Sequence, residues 1–174
     1  MPSSLIDMET AAFWIEQLSL KAHPEGGFYS ETYRSDETIP QEALPSRYAS
    51  AHSFSTAIYF LLRSQDISAF HRITSDELWF FHTGSPVQVH FLGQEGIQSF
   101  VLGPNVQKGQ RFQLLVPKGT WFGAEVLEKE SYTLVSCTVA PGFAFEDFEL
   151  ASRHDLLVKF PSNKDIIERL TQDR

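Results

Sequence analysis

HRITSDELWFFHTG, residues 71–84, reads as the end of one β-strand, a short polar connection and most of the next strand. Side chains two apart on a strand share a face. His71 and Ile73 therefore point one way, and Glu77, Trp79 and Phe81 share a face on the following strand. An imidazole, a carboxylate and aromatic rings on adjacent strands are the beginnings of a pocket. His71 by itself reads as a core histidine bonded to a carboxylate such as Glu77 or Asp76, and Glu77 by itself as a solvated strand-end carboxylate. Taken jointly, they read as pocket groups.

Working outward, short strands follow one another with turn chemistry between most of them. Phe28–Arg34, Ser55–Leu62, Ser68–Ile73, Glu77–His82 and Val87–Leu92 come first. Gln98–Leu102, Gln110–Val116, Trp121–Leu127 and Tyr132–Val139 follow. The separators carry Gly-Gly, Gly-Ser-Pro, Gly-Pro-Asn and Pro-Lys-Gly. This spacing predicts an all-β sandwich or barrel rather than alternating βα units, and a jelly roll closes best over a ligand cavity. Residues 35–52, with Pro40 and Pro45, read as a long loop of the kind that serves as a lid or a dimer arm, or is mobile. Helices are predicted at both ends. The first spans about 5–20, with Ser4 and Asp7 at capping-box spacing and Met8, Ala11, Ala12, Ile15 and Leu18 as its apolar stripe. The last spans about 162–172, from Ser162 and Asp165, with Ile166, Ile167 and Leu170 inward. With a barrel over about 26–150, the 174 residues read as one domain, 1–174.

Composition narrows the function classes. Fifteen Phe against two Met is a heavy aromatic load that leans toward sheet. A net charge of −8 without a Lys/Arg cluster argues against nucleic acid as a partner. No apolar run has the length of a membrane span and the first residues lack a leader pattern, so a cytoplasmic protein is expected. The single cysteine, Cys137, sits in the apolar run TLVSCTVA, where a buried, inert thiol is expected. No G-x-S-x-G motif is present, which leaves nucleophilic hydrolysis without support.

His71, Glu77 and Gly84 also stand at the spacings of the first cupin signature, H-x-H-x3-E-x6-G, with Ile73 in place of the second histidine. VPKGTWFG (residues 116–123) resembles the second signature, P-x-G-x2-H, with Phe122 in the histidine slot. Together with HPEGGFYSETYRS (23–35) and APGFAFEDFEL (140–150), these motifs resemble cupin family five, a family without an established activity. The resemblance runs from about residue 18 to 158. It implies the double-stranded β-helix, or jelly-roll barrel, shared by sugar epimerases and seed-storage proteins, and a homodimer. Metal-binding cupins aim imidazoles and a carboxylate at one ion. Here Ile73 and Phe122 offer no lone pair, and His82, His90 and Glu125 do not replace them. No metal or other cofactor is therefore expected.

The expectation is a small-molecule pocket in the barrel, centred on His71 and Glu77 and independent of metal. Ile73, Trp79, Phe81 and Phe122 would form its walls, with Glu31 and Tyr33 as further ligand-binding residues. Strand alternation puts Tyr29, Glu31 and Tyr33 on one face and Arg34 on the other. Glu31 would either line the pocket or sit in a dimer seam with Arg34 or Arg72 nearby; an exposed polar edge is an equal alternative. If the pocket is catalytic, His71 and Glu77 suit proton transfer. By analogy with related folds this is epimerase or isomerase chemistry on a sugar-like substrate, with Tyr29, Tyr33 or Tyr59 as acid. The alternatives are a module that only binds a metabolite and, least supported, a metal-dependent cupin enzyme. Phe143, Phe145 and Phe148 are expected to plug one end of the barrel, with Glu146, Asp147 and Glu149 in solvent.

Overall fold

The computed structural model describes residues 10–172. Its central strands are the most apolar segments of the chain. β5 (Thr56–Arg63) and β12 (Tyr132–Ala140) pair antiparallel in the middle of a six-stranded sheet. β1 (Lys21–Ala22), β2 (Phe28–Arg34), β7 (Asp76–Gly84) and β10 (Gln113–Val116) complete it in the order β1-β2-β5-β12-β7-β10. The second sheet runs β13-β6-β11-β8-β9, from β6 (Ile67–Arg72), β8 (Val87–Gly93), β9 (Gly96–Leu102), β11 (Trp121–Val126) and β13 (Glu149–Leu150). Alternate residues from both sheets meet in one core: Phe60 and Trp79 from the first, Val89 and Phe122 from the second. This is the expected all-β jelly-roll barrel with small helices.

The predicted strands differ from the observed ones chiefly at their ends. The one large change is β10, expected from Gln110. There the Gln110 side chain accepts the Asn105 N–H at 2.8 Å and closes a turn, so pairing with β7 starts at Gln113. Residues 35–52 are tied down by a two-stranded ladder, β3 (Thr38–Ile39) with β4 (His52–Ser53), and by Tyr48, whose hydroxyl lies 2.9 Å from Ser75 Oγ.

The helices are shorter than the sequence reading gave. α1 covers Ala11–Gln17, capped by Thr10, and packs Trp14, Ile15 and Leu18 on Leu61 and Leu134. Its expected beginning at Ser4 and Asp7 lies outside the described residues. At the other end the single expected helix is two. α2 (Arg153–Lys159) is capped by Ser152, and α3 (Lys164–Arg169) starts after a turn through Pro161–Asn163. Ser162 is part of that turn and caps nothing. Leu156, Phe160, Ile167 and Leu170 pack with Phe70, Leu92 and Trp121 in a second apolar cluster. Among the described residues no helix is long and apolar enough to cross a membrane.

Candidate functional site

The site is built from a turn that sequence periodicity does not reach. After β1 the chain doubles back through His23–Gly27, held by His23 N–H to Gly27 O and Gly26 N–H to His23 O, both 3.0 Å. Gly26 has φ +110°, and a Cβ there would lie 2.0 Å from the Ile67 carbonyl oxygen. Gly27 has φ +70°, with the Leu61 carbonyl oxygen 2.7 Å from where its Cβ would be. Only glycine fits both positions. The turn docks on β6, where Ala69 N–H donates to Glu25 O at 2.8 Å, and this sets the Glu25 side chain beneath the barrel mouth.

Glu25 is 5% exposed. Ser68 Oγ donates to its Oε1 at 2.7 Å, and its Oε2 lies 3.0 Å from His71 Nε2. His71 Nδ1 is 2.7 Å from the Ala69 carbonyl oxygen, which can only accept, so Nδ1 carries a proton. The Glu25–His71 contact therefore needs one further proton between oxygen and nitrogen. Burial pushes Glu25 well above the usual carboxylate range against the Ser68 bond, with the Glu77 charge adding to the rise. Burial lowers His71 to about 3, against its Ala69 bond. The pair is a carboxylic acid donating to a neutral imidazole, and it holds one transferable proton.

His23 lies on the other side of Glu25, with Nδ1 3.4 Å from Oε2. That nitrogen accepts the Glu25 backbone N–H at 3.3 Å, and burial lowers the ring to about 4. Neutral His23 thus carries its proton on Nε2. Glu77, on β7, is raised by burial to about 7, although the neighbouring Cys137 thiol and Trp79 indole favour its anion. Burial, reinforced by the Glu77 and Glu25 charges, pushes the Cys137 thiol up. The Trp79 indole N–H is buried and completes no hydrogen bond among the described residues.

These groups face a cavity of about 260 Å³, the share of roughly eight or nine waters. Its walls are Tyr29, Ile58, Phe60, Ile73, Phe143, Phe145 and Phe148, with Lys21, Glu31 and Arg34 among the polar groups lining it. Arg34 donates to both carboxylate oxygens of Glu31, at 2.9 and 2.7 Å, and to the Phe143 carbonyl at 3.1 Å. It thereby ties β2 to the phenylalanine-rich segment.

Of the residues singled out from the sequence, His71, Glu77, Ile73, Trp79 and Glu31 line this cavity; Tyr33, Phe81 and Phe122 do not. β2 carries a bulge between Glu31 and Tyr33 that reverses the alternation. Tyr33 is turned out, 53% exposed, and Arg34 is turned in. Phe81 lies four residues beyond Glu77, about 13 Å along the strand, and packs on the barrel core. Phe122 is wholly buried, with its ring 4.1 Å from the His71 imidazole, and supports that ring instead of bordering the cavity. His71 is partnered by Glu25, not by Glu77 or Asp76. Tyr29 reaches the cavity, whereas Tyr59 does not. Phe143, Phe145 and Phe148 form cavity wall, and Asp147 is not in solvent: it contacts the buried His52. The sequence reading missed His23, Glu25, Lys21 and Cys137. Its available signal was His-Pro-Glu-Gly-Gly, two ionisable side chains on a turn too tight for ordinary residues.

Two facing antiparallel sheets closed over a cavity at one end, with an inward histidine on β6 and an inward glutamate on β7, define a cupin. The chain belongs to the family described as Cupin superfamily (DUF985), which it matches over residues 12–151. It is similar to a protein of Shewanella oneidensis of known crystal structure, with 39% identity and a TM-score of 0.86 over 96% of this chain and 100% of that one. A hypothetical protein from Leishmania major gives 33% identity and a TM-score of 0.85, over 94% and 99% of the two chains. An uncharacterized protein of Saccharomyces cerevisiae is 30% identical over 166 residues, 90% of this chain and 79% of its own.

The donor set does not suit the metal that many cupins carry. His71 Nε2 is engaged by Glu25 and His23 Nδ1 by a backbone N–H. Ile73 and Phe122 fill the positions from which further imidazoles would come. Among the described residues no group of three or more His, Cys, Asp or Glu could hold a metal ion.

Proposed function

We propose that the cavity binds a small organic molecule and moves protons on it without a metal, as an isomerase or epimerase does. The observation that carries this reading is the Glu25–His71 pair, holding one proton, in the same cavity as Glu77, whose carboxyl titrates near 7. A group half-ionised at neutral pH serves as general base, and a pair with one proton to give serves as general acid. The aromatic walls exclude water and set the ligand's plane. The volume accommodates a six-membered ring with its substituents, in keeping with a sugar-like substrate.

The test begins with native mass spectrometry and elemental analysis of untagged protein, followed by incubation of the identified ligand in D₂O. Deuterium entering a C–H position with wild type, and at least a hundredfold more slowly with His71→Gln and Glu77→Gln, supports the reading. A retained ligand that takes up no deuterium makes the protein a binding module. Stoichiometric metal ends the metal-independent reading.

We also propose that the protein acts as a cytoplasmic homodimer. β10 ends the six-stranded sheet with an unpaired edge beside the exposed Phe112 and Leu115, which favours cover by a second copy. A native mass of one 19.8 kDa chain at micromolar concentration would contradict the dimer.

A further inference from the structure

Among the described residues two N–H groups of the cavity complete no hydrogen bond. Trp79 Nε1 is the first: its residue is 2% exposed and lines the cavity, and its N–H faces Glu77 closely enough to favour that anion without closing a hydrogen bond on it. The second is His23 Nε2. Its ring sits among the cavity walls Tyr29, Phe60 and Phe148, with centroids at 4.6, 5.9 and 5.9 Å. Because Nδ1 accepts the Glu25 backbone N–H, the neutral ring has its proton on Nε2, for which the described residues supply no acceptor. Phe60 stands between the two donors, edge-on to both rings.

A ligand that satisfies both must present two oxygen lone pairs. An ammonium ion offers none. A carboxylate offers them, but brings a third acid against Glu25 and Glu77, where Glu77 already raises Glu25, and the cavity's cations are engaged elsewhere, Arg34 by Glu31 and Lys21 over the Tyr29 ring. An uncharged oxygen compound meets neither objection. Resting on the proton-transfer reading above, we infer that the substrate is a small uncharged hydroxy-ketone or hydroxy-aldehyde, its carbonyl oxygen held by Trp79 Nε1–H and a hydroxyl by His23 Nε2–H.

The carbonyl belongs at Trp79 because that donor adjoins Glu77, which brings the neighbouring carbon to the base. The Glu77 carboxylate takes the proton from that carbon. The C–H electron pair becomes a C=C bond, and the carbonyl π pair moves to oxygen, where the indole N–H meets the growing charge. The single proton of the Glu25–His71 pair then returns to the carbon and the C=O bond re-forms. Glu77 hands its proton back to the pair, so no atoms or electrons are gained or lost. Trp79 and His23 contact the substrate throughout, and neither transfers a proton.

A matched pair of compounds tests this: 2-hydroxycyclohexanone and cyclohexanol, titrated into the full-length protein at up to tens of millimolar and followed by the indole N–H signals in ¹H–¹⁵N spectra. The hydroxy-ketone is expected to move the Trp79 signal downfield and to bind about threefold to tenfold tighter than cyclohexanol, which lacks the carbonyl oxygen, the worth of one hydrogen bond. Trp79→Phe keeps the ring and removes only the N–H, and should bring the two affinities together while both compounds still enter. Equal binding of the two by wild type, or ketone binding that leaves the Trp79 signal unmoved, overturns the substrate class and leaves the pocket reading standing. If neither compound moves any cavity signal, the pocket reading falls and this inference falls with it.

Discussion

Glu77→Gln should flatten the pH dependence of stability. Glu77 is raised from 4.5 to about 7 by burial, so the folded protein keeps a proton that the unfolded chain has lost across that window. Where the unfolded state binds fewer protons, stability falls as pH rises. The wild type therefore loses stability between about pH 4.5 and 7 on account of Glu77, and the loss is complete above 7. At about 1.4 kcal/mol per pH unit the loss amounts to about 3 kcal/mol. Glutamine is close in shape and keeps an oxygen for the Cys137 thiol, but does not ionise. Urea unfolding of both proteins at pH 5 and pH 8, compared as a double difference, removes the contributions of the histidines that both share. The variant should lose about 2.5 kcal/mol less than the wild type between the two pH values, part of the loss having already occurred at pH 5. An unchanged double difference would show that Glu77 ionises normally in the folded state, and the case for it as a base at neutral pH would collapse.

Glu25→Gln should stay within about 1 kcal/mol of wild type, because an amide can accept from Ser68 and donate to His71, whereas Glu25→Ala should lose about 2–4 kcal/mol; thermal or urea melts separate the two. His71 Nε2 should show the ¹⁵N shift of an unprotonated imidazole nitrogen at pH 7, and a protonated shift would reverse the acid–base assignment of the pair. Gly26→Ala should lose about 3 kcal/mol or more, since the left-handed backbone and the Ile67 carbonyl both oppose a Cβ; a melt within experimental error of wild type would refute the tight-turn account.

Strand alternation carried the sequence reading a long way. It placed His71, Ile73, Glu77 and Trp79 correctly because a period of two is rigid between bulges. It failed one bulge later, where Tyr33 and Arg34 exchanged sides. Glu25 and His23 were illegible for a different reason: they stand on a turn, and Glu25's partners Ser68 and His71 lie more than forty residues away, a pairing no local period encodes. α2 escaped because its seven residues bury only Leu156, too little to mark a helical stripe.

The neutral state of the two cavity histidines has a calorimetric consequence. His23 stays uncharged down to about pH 4 and His71 to about 3, while free imidazole titrates near 6.5. Between about pH 5 and 6, ligand entry should draw no protons from solvent onto either ring. Heats of binding measured there on Glu77→Gln, in buffers of widely different ionisation enthalpy, should coincide, and a buffer-dependent heat would expose a titrating ring. Within that interval neither histidine makes the occupancy of the cavity depend on acidity.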